Sequence, residues 1–175
     1  MLMNVNQTLK GASIVLVSGI LATVSLNANA SGTEWTDSTT CHLLKQGKLV
    51  SKSKCSYEAS MASNMSFSYT GYSFKLPNNK TKFNAEISAN AKTDKNDNFI
   101  EGRDGSLVFD TSITLNEKPA VIQYRYGSSL KVVPKSIAAK FETGAPKGTL
   151  QCMQQKSSPA WEICAPAQDV SMGGF

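Results

Sequence analysis

The sequence predicts a mainly β domain, in which antiparallel hairpins form a meander that folds into a small sandwich or a partly open barrel. Three observations lead to this fold class. Apolar and polar residues alternate with period two between Leu107 and Tyr126, around a central turn sequence. Four cysteines follow a predicted export signal, which favours two disulfides. One short segment, 134–142, has a helical pattern, so the prediction includes one short helix.

Residues 1–30 have the features of a secretory signal peptide. Lys10 is their only charged side chain, an apolar run from Ile14 to Leu26 follows it, and Ala28-Asn29-Ala30 provides the small residues typical of a cleavage site. A membrane anchor is the alternative, but a transmembrane helix needs about 20 apolar residues and this run is shorter. We therefore expect cleavage, a mature form without a membrane span, and a periplasmic or secreted location, with bacterial export as the route that the composition fits.

Removal of residues 1–30 from the 175 leaves 145, which is enough for one domain with a modest core. We expect a flexible lead-in over 31–40, a single β domain over 41–164 and a flexible tail over 165–175. The whole chain has 18 basic and 13 acidic residues, a formal charge of +5, and Lys10 carries the only charge in 1–30. The mature chain would therefore carry a charge of +4, which favours anionic partners.

The four cysteines are Cys41, Cys55, Cys152 and Cys164, and all of them follow the predicted cleavage site. An even number of cysteines in an exported chain favours disulfides over free thiols. The sequence favours the two local pairs, Cys41–Cys55 and Cys152–Cys164, because each pair flanks a predicted hairpin. Each short loop closed in this way would stabilise the fold by about 3 kcal/mol in the chain-entropy description. A cross-link between the N-terminal and C-terminal cysteines is left open.

The first predicted hairpin joins 41–44 to 48–50 through Gln46-Gly47, a pair of residues suited to a tight turn. Four lysines crowd this region, and they are Lys45, Lys48, Lys52 and Lys54. Lysines on edge strands discourage aggregation between sheets. The same lysines could instead form a patch for an anionic partner.

Two or three further strands are expected between Met65 and Ile87. Apolar residues at 65, 67 and 69 and again at 72, 74 and 76 occupy alternate positions on either side of Thr70-Gly71. Either a two-residue turn or a bulge in one long strand would fit there. Pro77-Asn78-Asn79-Lys80 predicts a turn, and the alternation continues beyond it from Phe83.

The central hairpin is predicted from two alternating runs, 107–115 and 120–126, around the turn Asn116-Glu117-Lys118-Pro119. Arg125 lies on the face opposite to Tyr124 and Tyr126, where an arginine is either solvated or able to bind an anion or an aromatic group. A polar loop over 90–103 precedes this hairpin. A last hairpin is expected around 156–159, between the two C-terminal cysteines.

No motif for catalysis, for a cofactor or for a metal stands out in the sequence. His42 is the only histidine, and its neighbour Cys41 is expected in a disulfide, so we predict a partly exposed strand residue rather than a catalytic base. Asp94 to Asn98 begins like a calcium loop, but Phe99 replaces the required glycine and Gly105 replaces the bidentate glutamate. The acidic residues that a glycoside hydrolase would need are not singled out by any motif, and they are Glu58, Glu86, Glu101, Asp104 and Asp110.

The size of the chain, the export signal and the cysteine-bearing β-strands resemble those of small periplasmic inhibitors of c-type lysozymes. Those inhibitors present a Ser-Gly-x-x-Tyr loop to the enzyme, whereas Ser68-Tyr69-Thr70-Gly71-Tyr72 has a different order of residues. A positively charged chain would also be repelled by lysozymes, which are usually basic. The resemblance therefore carries over no site residues.

These features predict a small exported binding or interaction protein that is held together by disulfides and has no catalytic role. Its partner would be another exported protein or an anionic polymer of the cell envelope, and nucleic acid is not expected. Two alternatives are a small envelope hydrolase, whose carboxylates converge only in the fold, and a structural or assembly component of the cell surface.

Overall fold

The computed structural model describes residues 31–77, 82–141 and 144–172, and these form an eight-stranded antiparallel barrel. The strands are β1 Ser31–Lys45, β2 Lys48–Ser63, β3 Phe67–Lys75, β4 Lys82–Ala91, β5 Phe109–Leu115, β6 Lys118–Tyr126, β7 Thr149–Gln155 and β8 Trp161–Pro166, and one helix, α1, spans Lys135–Ala138. The prediction of a mainly β antiparallel fold is confirmed. The predicted signal peptide, 1–30, lies outside the described residues.

The barrel is closed, whereas the sequence predicted a sandwich or a partly open barrel. Closure comes from pairing between the first and last strands, which runs from His42–Cys164 to Lys45–Trp161. A strand pairs with its sequence neighbours through local turns, but pairing of β1 with β8 depends on the curvature of the whole sheet. The alternating pattern therefore identified the strands, but it could not indicate that the first strand would pair with the last.

Two predicted turns are present as two-residue connections with positive φ angles, and the second is shorter than the predicted four residues because Lys118 and Pro119 belong to β6. Gln46 and Gly47 have φ angles of 50° and 74°, and Asn116 and Glu117 have φ angles of 50° and 64°. Such angles at both central residues match the right-handed twist of the flanking strands. The predicted turn 77–80 lies for the most part outside the described residues.

Strand β3 is continuous through Thr70-Gly71, so the two-residue turn considered there is wrong. Thr70 pairs with Ile87 and Gly71 with Glu86, in an unbroken register between β3 and β4. The same register excludes the bulge. Tyr69 lies over Gly71, since a Cβ atom added to that glycine would come within 2.9 Å of the Tyr69 ring. The glycine thus leaves space for a tyrosine on the outer face of the barrel.

The barrel interior is filled by large apolar side chains from every second strand residue. The largest fully buried ones include Leu43, Phe74, Ile87, Met153 and Ile163. Aromatic rings add to this core, because Tyr57, Tyr72 and Phe74 lie 5.8 to 5.9 Å apart between ring centroids. No cavity of functional size is expected inside such a packed barrel.

The segment 31–40, expected to be a flexible lead-in, forms the first two thirds of β1. It pairs with β2 without interruption from Ser31–Ser63 to Thr40–Lys54. Its serine and threonine content suggested a loose segment, but β-branched threonine is well suited to strands. The domain therefore begins earlier than residue 41.

The segment 165–175, expected to be a flexible tail, lies against the barrel wherever it is described. Residues 165–166 belong to β8, and Val170 and Met172 are buried in the core. The Tyr57 hydroxyl donates to the Asp169 carbonyl oxygen at 2.9 Å, and the Met172 amide donates to the Gln151 side chain at 2.7 Å. Val170 and Met172 thus pack against the barrel core. Two apolar residues in a polar segment are too few to predict this packing from the sequence.

Both predicted local disulfides are present, Cys41–Cys55 and Cys152–Cys164, so a cross-link between the two pairs is excluded. The first belongs to the interior core, and the second belongs to a smaller buried cluster with Leu44 and Leu150. Two disulfides indicate an oxidising compartment. Among the described residues, no helix has the length and apolarity that a membrane crossing requires.

Candidate ligand-binding groove

A short segment, 127–133, which we call the return segment, lies along the outer end of β6. The Tyr126 amide donates to the Lys131 carbonyl at 3.0 Å, and the Val133 amide donates to the Tyr124 carbonyl at 2.8 Å. Arg125 and Val132 form a β-bridge between these bonds. The return segment leads directly into α1 and therefore determines where the helix lies.

A buried ion pair holds the return segment on the barrel wall. The Glu162 carboxylate accepts two hydrogen bonds from the Arg125 guanidinium, at 2.7 and 2.8 Å, and a third from the Gln123 side chain at 2.8 Å. The remaining terminal nitrogen of Arg125 donates to the Leu130 carbonyl at 2.5 Å. Arg125 is 6% exposed and Glu162 is fully buried. The prediction that Arg125 is solvated or binds an external anion is therefore wrong, because the return segment covers it.

A groove of about 630 Å³ lies between the return segment and α1 on one side and the outer face of β1 and β2 on the other. Ile137 and Phe141 line it from the helical side, and Tyr126 and Leu150 line it from the ends of β6 and β7. Phe141 is fixed by an edge-to-face contact with Tyr124, at 5.1 Å between ring centroids. The lining is thus mainly apolar and aromatic, as in most small-molecule sites.

Positive charge accompanies this apolar lining. Lys52 and Lys147 both line the groove, and neither forms an ion pair with any described residue. The described lining residues include no aspartate or glutamate. An anionic group would therefore find attraction in the groove without a competing carboxylate.

His42 also lines the groove, and it is buried, so the prediction of a partly exposed strand residue is wrong. The residue is 5% exposed, and its Nδ1 atom is the buried side-chain polar atom that lacks a partner of good geometry in the described part of the chain. Burial lowers the pKa of His42, the charge of neighbouring Lys52 lowers it further, and the Thr40 backbone acts in the opposite direction. The imidazole is therefore neutral at neutral pH.

The four lysines predicted as a patch do not share one face of the barrel. Lys52 and Lys54 pair in register with His42 and Thr40 on the outer face of β1 and β2. The register shifts between Leu43 and Leu44, so the lysines nearer the turn are placed differently. Lys45 lies over the Trp161 ring, 5.1 Å from its centroid, and Lys48 is its cross-strand neighbour. Of the four, only Lys52 lines the groove.

The other groove residues were not found by sequence reasoning. Lys147, Ile137, Phe141 and Tyr126 lie far from Lys52 in the chain, and they meet it only because β1 pairs with β8 and β8 with β7. No local spacing could indicate that arrangement. One available signal was the spacing of Ile137 and Phe141, which lie four residues apart in the predicted helix 134–142 and would share one face of it.

The remaining candidate clusters are satisfied by their own neighbours. Cys152, Glu162 and Cys164 lie within metal-binding distance of one another, but the two sulfur atoms form a disulfide and Glu162 binds Arg125. The Asp94 carboxylate accepts the backbone amides of Asn96 at 2.8 Å and Asn98 at 3.0 Å, and these bonds lower its pKa. That carboxylate therefore organises its own loop.

Comparisons of the chain with models of protein families, with curated proteins and with solved structures gave no match. Function is therefore inferred from the geometry of this molecule. Within that geometry, the groove combines an apolar lining, two lysines and a buried neutral histidine. This combination suits a ligand that has an apolar or aromatic body and an anionic group.

Proposed function

We propose that this protein is an exported, non-catalytic binding protein whose groove holds an anionic ligand with an apolar portion. The observation that carries the proposal is the convergence of Lys52, Lys147 and His42 around an apolar lining, with no acidic residue among the described lining residues. The ligand would belong to an anionic envelope polymer or to an acidic segment of another exported protein.

The groove offers three separate contributions to binding. Ile137 and Phe141 would cover the apolar portion of the ligand, each Å² removed from water being worth about 25 cal/mol. An anion about 4 Å from a lysine ammonium gains about 4 kcal/mol of Coulomb energy near a protein surface, before the costs of desolvation and ordering. The His42 side chain, which lines the groove, would add a polar contact with the ligand. The volume of the groove, about 630 Å³, supports the same conclusion, because ligand sites generally enclose about 300 to 1,000 Å³.

Export of the protein is part of the proposal. The two disulfides require an oxidising environment to persist. The pattern of residues 1–30 predicts a cleavable signal, which would deliver the chain to the periplasm or the medium. An anionic envelope polymer would be available in either location.

The hydrolase alternative has weaker support. A second groove, of about 370 Å³, lies on the outer face of the first four strands and contains Glu34, Glu58 and Glu86. Glu58 forms an ion pair with Lys75, whose hydrogen bond and charge lower the glutamate pKa. This lowered pKa does not suit Glu58 to the role of general acid in sugar hydrolysis, which needs a raised pKa. The binding function is therefore the better supported proposal.

Fluorescence titration with 8-anilinonaphthalene-1-sulfonate, an aromatic anion, would test the groove. We expect Lys52→Glu and Lys147→Glu each to weaken binding by about tenfold, equivalent to about 1.4 kcal/mol, and we expect binding to weaken as salt rises. Lys54→Glu is the matched control, because Lys54 lies on the same face of β2 outside the groove lining. Equal losses in all three variants, or binding that ignores salt and both groove lysines, would contradict the proposal.

A pull-down would then identify the natural ligand. The oxidised protein would be the bait for envelope and culture-medium extracts at low and at high salt, beside the Lys52→Glu/Lys147→Glu variant. A component that binds the wild-type protein at low salt and is lost with the double variant would be the groove ligand. A component retained equally by both proteins would bind elsewhere.

A further inference from the structure

The last described residues, 167–172, which we call the end segment, lie against the barrel without joining its strand pairing. β8 ends at Pro166, and the barrel is already closed by the pairing of β8 with β7 and with β1. The Ala167 amide donates to the Thr149 carbonyl at 3.0 Å, and two further amides of the segment donate to the Pro166 carbonyl. The strand pairing of the barrel is therefore complete without the end segment.

Side chains of the barrel bind the main chain of the end segment. The Tyr57 hydroxyl donates to one backbone carbonyl of the segment at 2.9 Å, and the Tyr72 hydroxyl donates to another at 3.0 Å. Gln151 binds both backbone groups of a single residue. Its side-chain amide donates to the Met172 carbonyl at 3.1 Å, and its side-chain oxygen accepts the Met172 amide at 2.7 Å. A paired contact of this kind recognises a peptide main chain, whatever side chain that residue carries.

The side chains of the end segment alternate between the barrel interior and solvent, as they do in an extended chain. Val170 is 2% exposed and Met172 is fully buried, and both belong to the interior core. Asp169 and Ser171 are exposed. The Thr39 hydroxyl donates to the Asp169 carboxylate at 2.5 Å, which adds a contact with a side chain of the segment. Two apolar side chains, separated by one residue, therefore anchor the segment in the barrel end.

The barrel provides buried polar groups where the main chain of the end segment runs. Tyr57, Tyr72 and Gln151 are each 3% exposed, and they come from β2, β3 and β7. Buried polar groups of this kind need hydrogen-bond partners, and here a peptide main chain supplies them. Hydrogen bonds to the main chain, together with sites for alternate side chains, are the features by which domains bind extended peptides. The barrel end therefore has the features of a peptide-binding site.

We propose that this barrel end binds an extended segment of another exported protein, and that the end segment occupies the same site as an intramolecular competitor. The segment of the partner would place two apolar side chains, separated by one residue, where Val170 and Met172 lie. The contacts that carry this proposal are made to the main chain and to those two apolar side chains. A separate peptide would make the same contacts, because they do not depend on the covalent link to β8.

The end segment competes strongly for the site because it is attached to the barrel. A short connection gives an effective concentration in the millimolar range, so a separate peptide would displace the segment of the wild-type protein only in part. The peptide site is distinct from the groove, since Tyr57, Tyr72 and Gln151 are not among the described residues that line the groove. The two proposed sites can therefore be tested separately.

Fluorescence anisotropy with a labelled synthetic peptide of the sequence 167–172 would test the site on the oxidised protein. We expect Val170→Asp/Met172→Asp, whose own end segment no longer fits the apolar interior, to bind this peptide about tenfold more tightly than the wild-type protein. Gln168→Asp/Ser171→Asp is the matched control, because it adds the same charge at exposed side chains. This control should bind the peptide as the wild-type protein does. A peptide that carries Val170→Asp and Met172→Asp should not bind.

Hydrogen exchange of the wild-type protein provides an independent test, which decides the question if circular dichroism shows that the double variant is unfolded. Because the end segment leaves the barrel by local opening, the Met172 amide should exchange faster than the amides of β8. A folded Val170→Asp/Met172→Asp variant that does not bind the peptide, or a Met172 amide that exchanges only with global unfolding, would overturn the proposal. A wild-type dimer that this variant abolishes would assign the site to exchange of end segments between two copies and would overturn the proposed partner.

Discussion

The buried Arg125–Glu162 pair allows a quantitative prediction of stability. Replacement of Glu162 by leucine removes the acceptor of two Arg125 hydrogen bonds and one Gln123 hydrogen bond. Arg125, 6% exposed, would keep only the Leu130 carbonyl as its partner. Breaking a buried pair in this way costs about 3 to 5 kcal/mol, from a total unfolding free energy of about 5 to 15 kcal/mol.

Urea denaturation with intact disulfides would measure this loss. We expect Glu162→Leu to lower the midpoint by the equivalent of about 3 to 5 kcal/mol. The double variant Arg125→Met/Glu162→Leu is the control, because it removes both charges and leaves none uncompensated, and it should recover most of that loss. If the single variant unfolds within about 1 kcal/mol of the wild-type protein, or if the double variant is less stable than the single one, the assigned role of this pair is wrong.

Two further predictions concern the disulfides and the histidine. Reduction of one disulfide should destabilise the domain by about 3 kcal/mol, because each disulfide closes a short loop. If mass spectrometry proves reduction and the thermal unfolding midpoint is unchanged, this prediction is refuted. Since the folded pKa of His42 lies below its ordinary value of 6.5, the unfolded chain binds this proton first as the pH falls. Stability from this group is therefore complete above about pH 6.5 and decreases from there down to the folded pKa. His42→Gln should lack that part of the pH dependence. Urea midpoints of both proteins would be measured between about pH 7.5 and pH 5. If the two sets of midpoints change with pH in the same way, His42 does not contribute this pH dependence.

The features that the sequence predicted correctly are those that depend on residues close together in the chain. Period-two alternation between 107 and 126 identified both strands of the central hairpin, although residues 109–112 of β5 are all exposed and β6 buries Ala120 and Arg125 on opposite faces. Gln46-Gly47 and Asn116-Glu117 tolerate the positive φ angles of a hairpin turn. The two disulfides were found for the same reason, since each joins neighbouring strands of a single hairpin.

Local patterns were misleading where a distant segment changes the environment of a residue. Arg125 alternates with tyrosines as a solvent-facing residue would, yet the return segment and Glu162 bury it. Val170 and Met172 lie in a sequence typical of a frayed tail, but an open barrel end offers them an apolar site. In both cases the residue is buried by a segment that is distant in the sequence. The spacing of apolar and polar residues around it does not specify that segment.

By itself, the sequence determined most of the strands, the turns at Gln46-Gly47 and Asn116-Glu117, the local disulfides and the positive charge, because propensity, turn chemistry and composition act over a few residues. Only the tertiary structure decided that β1 meets β8. The same closure brings Lys52 and Lys147 into the lining of one groove and buries His42 in that lining. These outcomes depend on how eight twisted strands curve around one core, and the free energy of that arrangement is shared by contacts between segments far apart in the chain.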